Sequence, residues 1–151
     1  HDRPTLLLFV AGAHVHAIQD YVTMMDGALL PWLAAVRRPQ DVRLAATVVP
    51  GHPNCSHASR PLQAAAVPAE SDPHDWNLFA QYNSHLRAVA RNASIGVLDV
   101  ASIGSLRPDG HKGGLDCLHY WLPGVPDWYG HMLITQLLAS KPVTAVGLKY
   151  R

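Results

Sequence analysis

Long apolar runs, clustered positive charge and internal repeats are all absent from this chain of 151 residues. No stretch approaches the roughly 20 consecutive apolar residues of a membrane-spanning helix, and none resembles a secretory signal peptide. Only 15% of the residues are charged, and the lysines and arginines are scattered, which argues against a nucleic-acid-binding surface. Because 48% of the residues are hydrophobic, the composition also argues against intrinsic disorder.

Cysteine is scarce as well, since Cys55 and Cys117 are the only two and do not define a redox compartment by their number. Histidine is abundant, with ten residues, so the chain should respond to pH between about 5 and 8. The chain begins with His1 rather than methionine. We therefore expect residues 1–151 to be the C-terminal part of a single domain in a longer protein.

Alternating strand and helix patterns predict an α/β fold with a parallel sheet. Short apolar segments typical of buried parallel strands occur at residues 5–10, 42–49 and 95–100. Apolar residues at helical spacing occur at residues 18–36, 76–91 and 127–139. Pro31 should kink or divide the first helix, Asp72 or Asp75 should cap the second, and residues 54–73 should form a long surface loop.

Four polar or glycine-containing positions follow the predicted strands. They are Gly12, His52, Asp99 and the loop that holds Asp116 and His119. Because ligands of parallel α/β sheets bind at the carboxyl ends of the strands, we expect these positions to face one crevice.

Asp116 and His119, three residues apart, are the strongest candidates for chemistry. A carboxylate beside an imidazole fixes the tautomer of the ring and stabilises the imidazolium, as in the base half of a nucleophilic triad. On a short turn, Asp116 would reach the Nδ1–H of His119 and leave Nε2 free to accept a proton from a hydroxyl.

Two neighbouring blocks resemble the signature of the plant trichome-birefringence-like polysaccharide O-acetyltransferases, within the PC-esterase group. Residues 116–127, DCLHYWLPGVPD, follow the family's Asp-Cys-x-His-Trp-Cys-Leu-Pro-Gly-Val-Pro-Asp, except at Tyr120 and Trp121. Residues 106–111, LRPDGH, are similar to its Leu-Arg-Pro-Asp-x-His block. After the first strand the family has Asn-Thr-Gly-His-Trp, whereas residues 11–14 here read AGAH.

The resemblance implies an SGNH-hydrolase-like three-layer sandwich, incomplete at its N-terminus here, that transfers acetyl groups through an acyl-serine. His119 would be the general base and Asp116 its orienting carboxylate. Supporting positions carried over from the two blocks and the first strand are Arg107, Asp109, His111, Gly12 and His14.

The family's Gly-Asp-Ser nucleophile block does not occur in these 151 residues, so we expect this chain alone to be catalytically silent. The resemblance further implies an acetyl donor and a polysaccharide acceptor as substrates and no cofactor. It also implies a Golgi-lumen or secretory-pathway location, with any membrane anchor outside the chain. The triplets Asn54-Cys55-Ser56 and Asn92-Ala93-Ser94 fit the N-glycosylation pattern. Since the family is oxidised, Cys55 and Cys117 are expected to form a disulfide, although a partner elsewhere remains an alternative.

Two other kinds of site compete. Histidine pairs at 14 and 16, 52 and 57, and 111 and 119 suggest a metal site, but none has a complete ligand set with familiar spacing, so we predict no metal. A non-catalytic polysaccharide-binding remnant would use Trp76, Tyr120, Trp121 and Trp128 as stacking platforms, although Trp32 and Trp128 fit helical core positions. Hydrolysis of the donor, as in an acetylesterase, is a third outcome.

Overall fold

Three parallel strands form the central sheet of this protein. The computed structural model describes residues 3–36, 38–65, 68, 72–113 and 116–140. In it β1 (Leu6–Val10), β2 (Val42–Ala46) and β3 (Gly96–Leu98) lie in the order β1-β2-β3. Leu8 pairs with Leu44, and Ala46 pairs with Leu98. The predicted α/β fold with a parallel sheet is therefore confirmed.

Helices cover both faces of this sheet. One face packs against α1 (Ile18–Met24), α2 (Leu30–Ala35) and α3 (Phe79–Asn92), and α5 (Val125–Ser140) packs against the other. A short α4 (Ala101–Gly104) follows β3. The larger core lies on the first face and is filled by large side chains, namely Tyr21, Met25, Leu33, Phe79, Tyr82 and Leu86. The arrangement is a three-layer sandwich, as predicted.

The first predicted helix is divided, as the proline in it suggested. Between α1 and α2 the chain widens into a π-helical turn at Met25–Leu29, and Pro31 stands in the first turn of α2. Proline has no N–H to donate to the carbonyl four residues earlier, and its ring crowds that carbonyl, so the regular ladder cannot continue through this point.

The second strand ends at Ala46, earlier than the predicted range 42–49. Beyond it, the side chain of Asn83 takes the place of a neighbouring strand. Asn83 of α3 accepts the N–H of Val48 at 2.8 Å and donates to the carbonyl of Val48 at 2.8 Å. The backbone N–H and carbonyl of Val48 are thereby both satisfied without a neighbouring strand. The chain then turns through Pro50 and Gly51. Gly51 leaves room for the Trp76 ring, which would overlap a Cβ at this position.

The first strand is an edge strand, not the fully buried strand that the apolar run predicted. Leu6, Leu8 and Val10 are 38%, 43% and 58% exposed. Their partners in β2 include Leu44 and Ala46, on the face where α5 lies, but α5 covers only the β2 and β3 side. Among the described residues nothing pairs with the outer edge of β1.

A second, two-stranded sheet replaces the predicted loop over residues 106–119. A 3-10 turn at Pro108–Gly110 leads into β4 (His111–Gly113), which pairs antiparallel with β5 (Asp116–Tyr120). The candidate residues Asp116 and His119 therefore lie on a strand. Strand pairing was not visible in the sequence because β4 is only three residues long.

Several side chains differ from their predicted positions. Asp75 precedes a 3-10 turn at Trp76–Leu78 without capping it, and α3 begins at Phe79 with no side-chain cap. Asp72 accepts the N–H of His74 instead. The last helix spans Val125–Ser140, which contains the predicted range 127–139.

The tryptophans also depart from expectation. Trp76 is only 6% exposed and so cannot serve as a stacking platform. Trp32 and Trp128, predicted to be core, are 52% and 55% exposed. None of the helices in the described part of the chain is both long and apolar enough to cross a membrane.

Candidate active site

Asp116 and His119 form a hydrogen-bonded pair at the start and near the end of β5. His119 Nδ1 lies 3.0 Å from Asp116 Oδ1 and 3.2 Å from Oδ2. Because a carboxylate only accepts, Nδ1 must carry the hydrogen. The neutral ring then holds its lone pair on Nε2, which is the tautomer that a general base requires.

The Nε2 side of His119 is open. The side chain is 66% exposed, against 39% for Asp116, and within the described ranges no group hydrogen-bonds to Nε2. A hydroxyl or a substrate can therefore approach this nitrogen without displacing a protein group.

The backbone holds the carboxylate of Asp116 in place. Its Oδ1 accepts the N–H of His119 at 3.0 Å and that of Leu118 at 3.4 Å. These hydrogen bonds, first the backbone bond from His119 and then the ring bond, lower the pKa of Asp116. Asp116 is thus held ionised and oriented before any ligand binds.

The strand that carries this pair is fastened to the loop after β2. Cys55 and Cys117 are joined by a disulfide, with Cα atoms 5.5 Å apart. The N–H of His52 donates to the carbonyl of Cys117 at 3.0 Å. One covalent bond and one backbone hydrogen bond therefore tie β5 to residues 52–55, far away along the chain.

His52 and His111 form a buried pair next to β5. His52 Nδ1 and His111 Nε2 are 2.7 Å apart, and each residue is only 6% exposed. Each outer nitrogen lies against a backbone carbonyl. His52 Nε2 is 2.9 Å from the carbonyl oxygen of Ser105, and His111 Nδ1 is 3.2 Å from the carbonyl oxygen of His119. Burial lowers the pKa of both rings. The sequence places these histidines 59 residues apart, so their contact was not predicted.

Arg107 and Asp109 form a bidentate ion pair beside these histidines. Arg107 Nε lies 2.9 Å from Asp109 Oδ1, and its Nη2 lies 3.0 Å from Oδ2. The hydrogen bonds from Arg107 lower the pKa of Asp109. Arg107 directly precedes the 3-10 turn that leads into β4, and Asp109 lies within it. Their supporting role in the site stays a prediction.

A shallow groove of about 180 Å³ runs beside Asp116. His14 and Ala13 line one side, while Asp116 and Leu118 line the other. Gly12 lies just before these residues, buried and at φ +122°, a conformation that L side chains rarely adopt. The predicted meeting of the β1 end with the Asp116 strand is therefore present, with His14 exposed in the groove.

Asp99 does not join this groove. Its carboxylate lies 2.8 Å from Arg87 and accepts a hydrogen bond from Thr47 at 3.1 Å. It lines a separate depression with Arg91 and Val97. The predicted convergence of all four strand-end positions is wrong for Asp99, whose side chain points to the α3 side of the sheet end. It is also wrong for His52, which is buried against His111 and does not line the groove.

The histidine pairs considered for metal binding have other partners. His16 lies 2.8 Å from Asp75, and His57 is exposed on the turn after Asn54. Across the described ranges no three His, Cys, Asp or Glu side chains come together in a way that would hold a metal ion.

Comparison with known proteins is consistent with this geometry. Residues 27–136 match the PC-Esterase family, described as a GDSL/SGNH-like acyl-esterase family found in Pmr5 and Cas1p. Xylan O-acetyltransferase 2 of Oryza sativa subsp. japonica is 29% identical over 64% of this chain and 23% of its own length. Protein trichome birefringence-like 15 of Arabidopsis thaliana is 24% identical over 85% of this chain and 29% of its own length.

A third relative, protein trichome berefringence-like 7 of Arabidopsis thaliana, is 30% identical over 68% of this chain and 24% of its own length. The chain thus spans about a quarter of the length of these relatives. No solved structure matches it. Because the family match covers 110 of the 151 residues, from 27 to 136, the chain belongs to the PC-Esterase family of GDSL/SGNH-like acyl-esterases.

Proposed function

We propose that this chain supplies the general base and its orienting carboxylate to a serine-dependent O-acetyltransferase. The observation that carries the proposal is the Asp116–His119 pair, with Nδ1 held by the carboxylate and Nε2 open to solvent. Membership of an acyl-esterase family and similarity to a xylan O-acetyltransferase support acyl transfer as the reaction class.

In the first half of the reaction a serine hydroxyl attacks the carbonyl carbon of an acetyl donor. His119 Nε2 takes the hydroxyl proton as the C–O bond forms, and the resulting imidazolium is stabilised by Asp116. Collapse of the tetrahedral intermediate expels the donor's leaving group, which takes the proton back from Nε2. The enzyme is left as an acetyl-serine with a neutral His119.

In the second half a sugar hydroxyl replaces the donor. His119 removes its proton while the hydroxyl oxygen attacks the acetyl-serine, and then returns that proton to the serine oxygen as it leaves. The products are the acetylated polysaccharide and the free serine. Water in place of the sugar would give acetate, so a donor esterase uses the same residues.

The serine comes from a segment outside these residues, since no Gly-Asp-Ser block occurs in the sequence. The exposed apolar residues Leu6, Leu8 and Val10 and the free edge of β1 are a suitable place for that segment to add to the sheet. We further propose that residues 1–151 are one part of a single catalytic domain, in the secretory pathway and specifically the Golgi lumen. The disulfide, and the exposed Asn54 and Asn92, fit an oxidising, glycosylating compartment.

A polysaccharide-binding protein without catalysis is the second candidate. The observation in its favour is Trp121, which is 57% exposed at the end of the hairpin, with Lys112 Nζ 5.9 Å from its ring centroid. An exposed indole of this kind offers a stacking surface for a sugar ring.

The test is to express a longer form of the protein that includes a Gly-Asp-Ser block and to incubate it with an acetyl donor and xylan oligosaccharides. Mass spectrometry should detect oligosaccharides heavier by one acetyl group, and an acetyl adduct on the serine when the acceptor is withheld. Binding of the oligosaccharides without either product would favour the binding protein, and free acetate as the sole product would favour the esterase.

A further inference from the structure

Counting the hydrogens between His52 and His111 leads to a conclusion about their charge. The carbonyl oxygens of Ser105 and His119 can only accept, so His52 Nε2 and His111 Nδ1 must each carry a hydrogen. The contact of 2.7 Å between the inner nitrogens needs a third hydrogen. Two neutral imidazole rings carry only two N–H hydrogens between them, and two imidazolium rings carry four.

From this geometry we infer that His52 and His111 share one proton as a singly charged pair that positions His119. With two hydrogens, either the inner lone pairs face each other at 2.7 Å or a carbonyl loses its donor. With four N–H hydrogens, the N–H groups at His52 Nδ1 and His111 Nε2 face each other at the same distance. Only the state with three hydrogens satisfies every nitrogen of the buried pair.

The surrounding groups explain how one added charge is tolerated and a second is not. Asp109 of the 3-10 turn and Asp116 of β5 both favour the charged form of His111, and Asp109 also favours that of His52. Tyr120 of β5 stacks on His111 with centroids 4.1 Å apart. Burial is the largest effect on each ring and lowers the pKa of both. Repulsion by His52 lowers the pKa of His111 further, so the second proton is resisted more than the first.

The remaining ionisable neighbours lie further out on the packed elements. Arg107 is neutralised by Asp109, while His57, on the turn beside β4, and Lys112, on β4 itself, are exposed. No carboxylate among the described residues hydrogen-bonds to either ring of the pair. The proton is therefore held by two backbone carbonyls and the partner imidazole, with the two aspartates acting at longer range.

The pair acts on the site through the backbone. His111 donates to the carbonyl of His119 itself, and the N–H of His52 donates to the carbonyl of Cys117, two residues earlier. Gain of a second proton breaks the contact between the two rings, and loss of the shared proton breaks either that contact or one of the hydrogen bonds to the carbonyls. His52 and His111 are therefore positioning residues, and the orientation of His119 should be best at an intermediate pH, with loss on both sides.

This inference rests on the proposed function only for the importance of His119, and its test does not use acetyl transfer. Ring nitrogens of the ¹⁵N-labelled 151-residue chain are followed by NMR between about pH 4.5 and 8.5. We expect one proton shared by the inner nitrogens at intermediate pH, with both outer nitrogens protonated. We also expect the His119 ring signals to show a second inflection at the pH where the pair titrates.

In His111→Asn the second inflection of His119 should disappear, whereas His57→Asn, an exposed histidine on the adjoining turn, should leave it in place. The proton count is made on the unaltered chain and remains decisive if His111→Asn does not fold. Two neutral rings throughout the range, or independent titration of both rings to the doubly charged state, would overturn the inference. A His119 titration with a single inflection in the unaltered chain would refute the positioning role.

Discussion

Asp116 holds His119 at two points, since its Oδ1 lies 3.0 Å from the backbone N–H and 3.0 Å from Nδ1 of the same histidine. The ring and its own peptide unit are thus fixed by one carboxylate. The contact between the ring and the carboxylate needs only the three-residue spacing and the local backbone N–H groups that Asp116 accepts, while His52 and His111 hold the backbone that carries the ring. Most of the expected effects of substitution at the site follow from this relationship.

Substitutions in this pair should separate chemistry from folding. In the longer form with a Gly-Asp-Ser block, His119→Ala should abolish acetyl transfer, and Asp116→Asn should reduce kcat by about 10⁴-fold through loss of tautomer control. His131→Ala, an exposed histidine of α5, is the control and should retain activity. Circular dichroism should be unchanged in all three variants, and near wild-type turnover in either site variant would contradict the assignment.

The isolated chain of 151 residues should be catalytically silent. It has the base, but the sequence has no Gly-Asp-Ser block, and a base without a nucleophile cannot form an acyl-enzyme. Hydrolysis of an acetyl ester should stay at the rate of buffer alone, and a serine-directed organophosphonate should not label the chain. A specific adduct on any of its serines that is lost in His119→Ala would show that the nucleophile lies within this chain.

Reduction of the disulfide should destabilise the hairpin that carries the site. Cys55 and Cys117 close a loop with a sequence separation of 62 residues, and the chain-entropy model assigns about 4 kcal/mol to a loop of that length. Urea unfolding with and without reductant measures the difference. The double variant Cys55→Ala/Cys117→Ala should behave like the reduced chain and be insensitive to reductant. Equal urea midpoints for the oxidised and reduced chains would rule out a stabilising bond.

Asn83→Leu should destabilise the fold by about 2–4 kcal/mol, because the buried N–H and carbonyl of Val48 each lose their partner. The matched control is Asn92→Leu, an exposed asparagine at the end of the same helix, which should change the free energy of unfolding by less than about 0.5 kcal/mol. Urea midpoints of the two variants give the comparison. Equal midpoints would mean that the amide of Asn83 does not substitute for a strand neighbour.

Acid should lower the free energy of unfolding, partly through protonation of Asp109. Arg107 holds the pKa of this carboxyl below its usual range, so its contribution is present above the unfolded value of about 3.9 and is lost as the pH falls through the folded value. The urea midpoint should therefore fall less between pH 5 and 3 in Asp109→Asn than in the wild type. Asp20→Asn, an exposed carboxylate of α1, should follow the wild-type curve, and identical pH profiles for all three proteins would exclude the linkage.

The residue pattern was sufficient for the parts of this protein that depend on local chemistry. Apolar runs near Leu6–Val10 and Val42–Ala46 become parallel strands, because short apolar segments that alternate with helices are typical of the parallel sheet of an α/β fold. Pro31 divides its helix independently of the tertiary structure, because proline has no backbone N–H to donate. The contact between Asp116 and His119 was also predictable, because three residues separate them.

Only the tertiary structure decided which faces are covered and which distant residues meet. Leu8 is exposed because α5 covers only the β2 and β3 side of the sheet, and Trp32 is exposed on α2 near Phe9 of the edge strand. Neither placement is encoded in the periodicity of the segment that holds the residue. His52 and His111 are 59 residues apart and look like loop histidines in the sequence. They become a buried pair because the 55–117 disulfide and the β4–β5 hairpin bring the loop after β2 against the strand that carries His119.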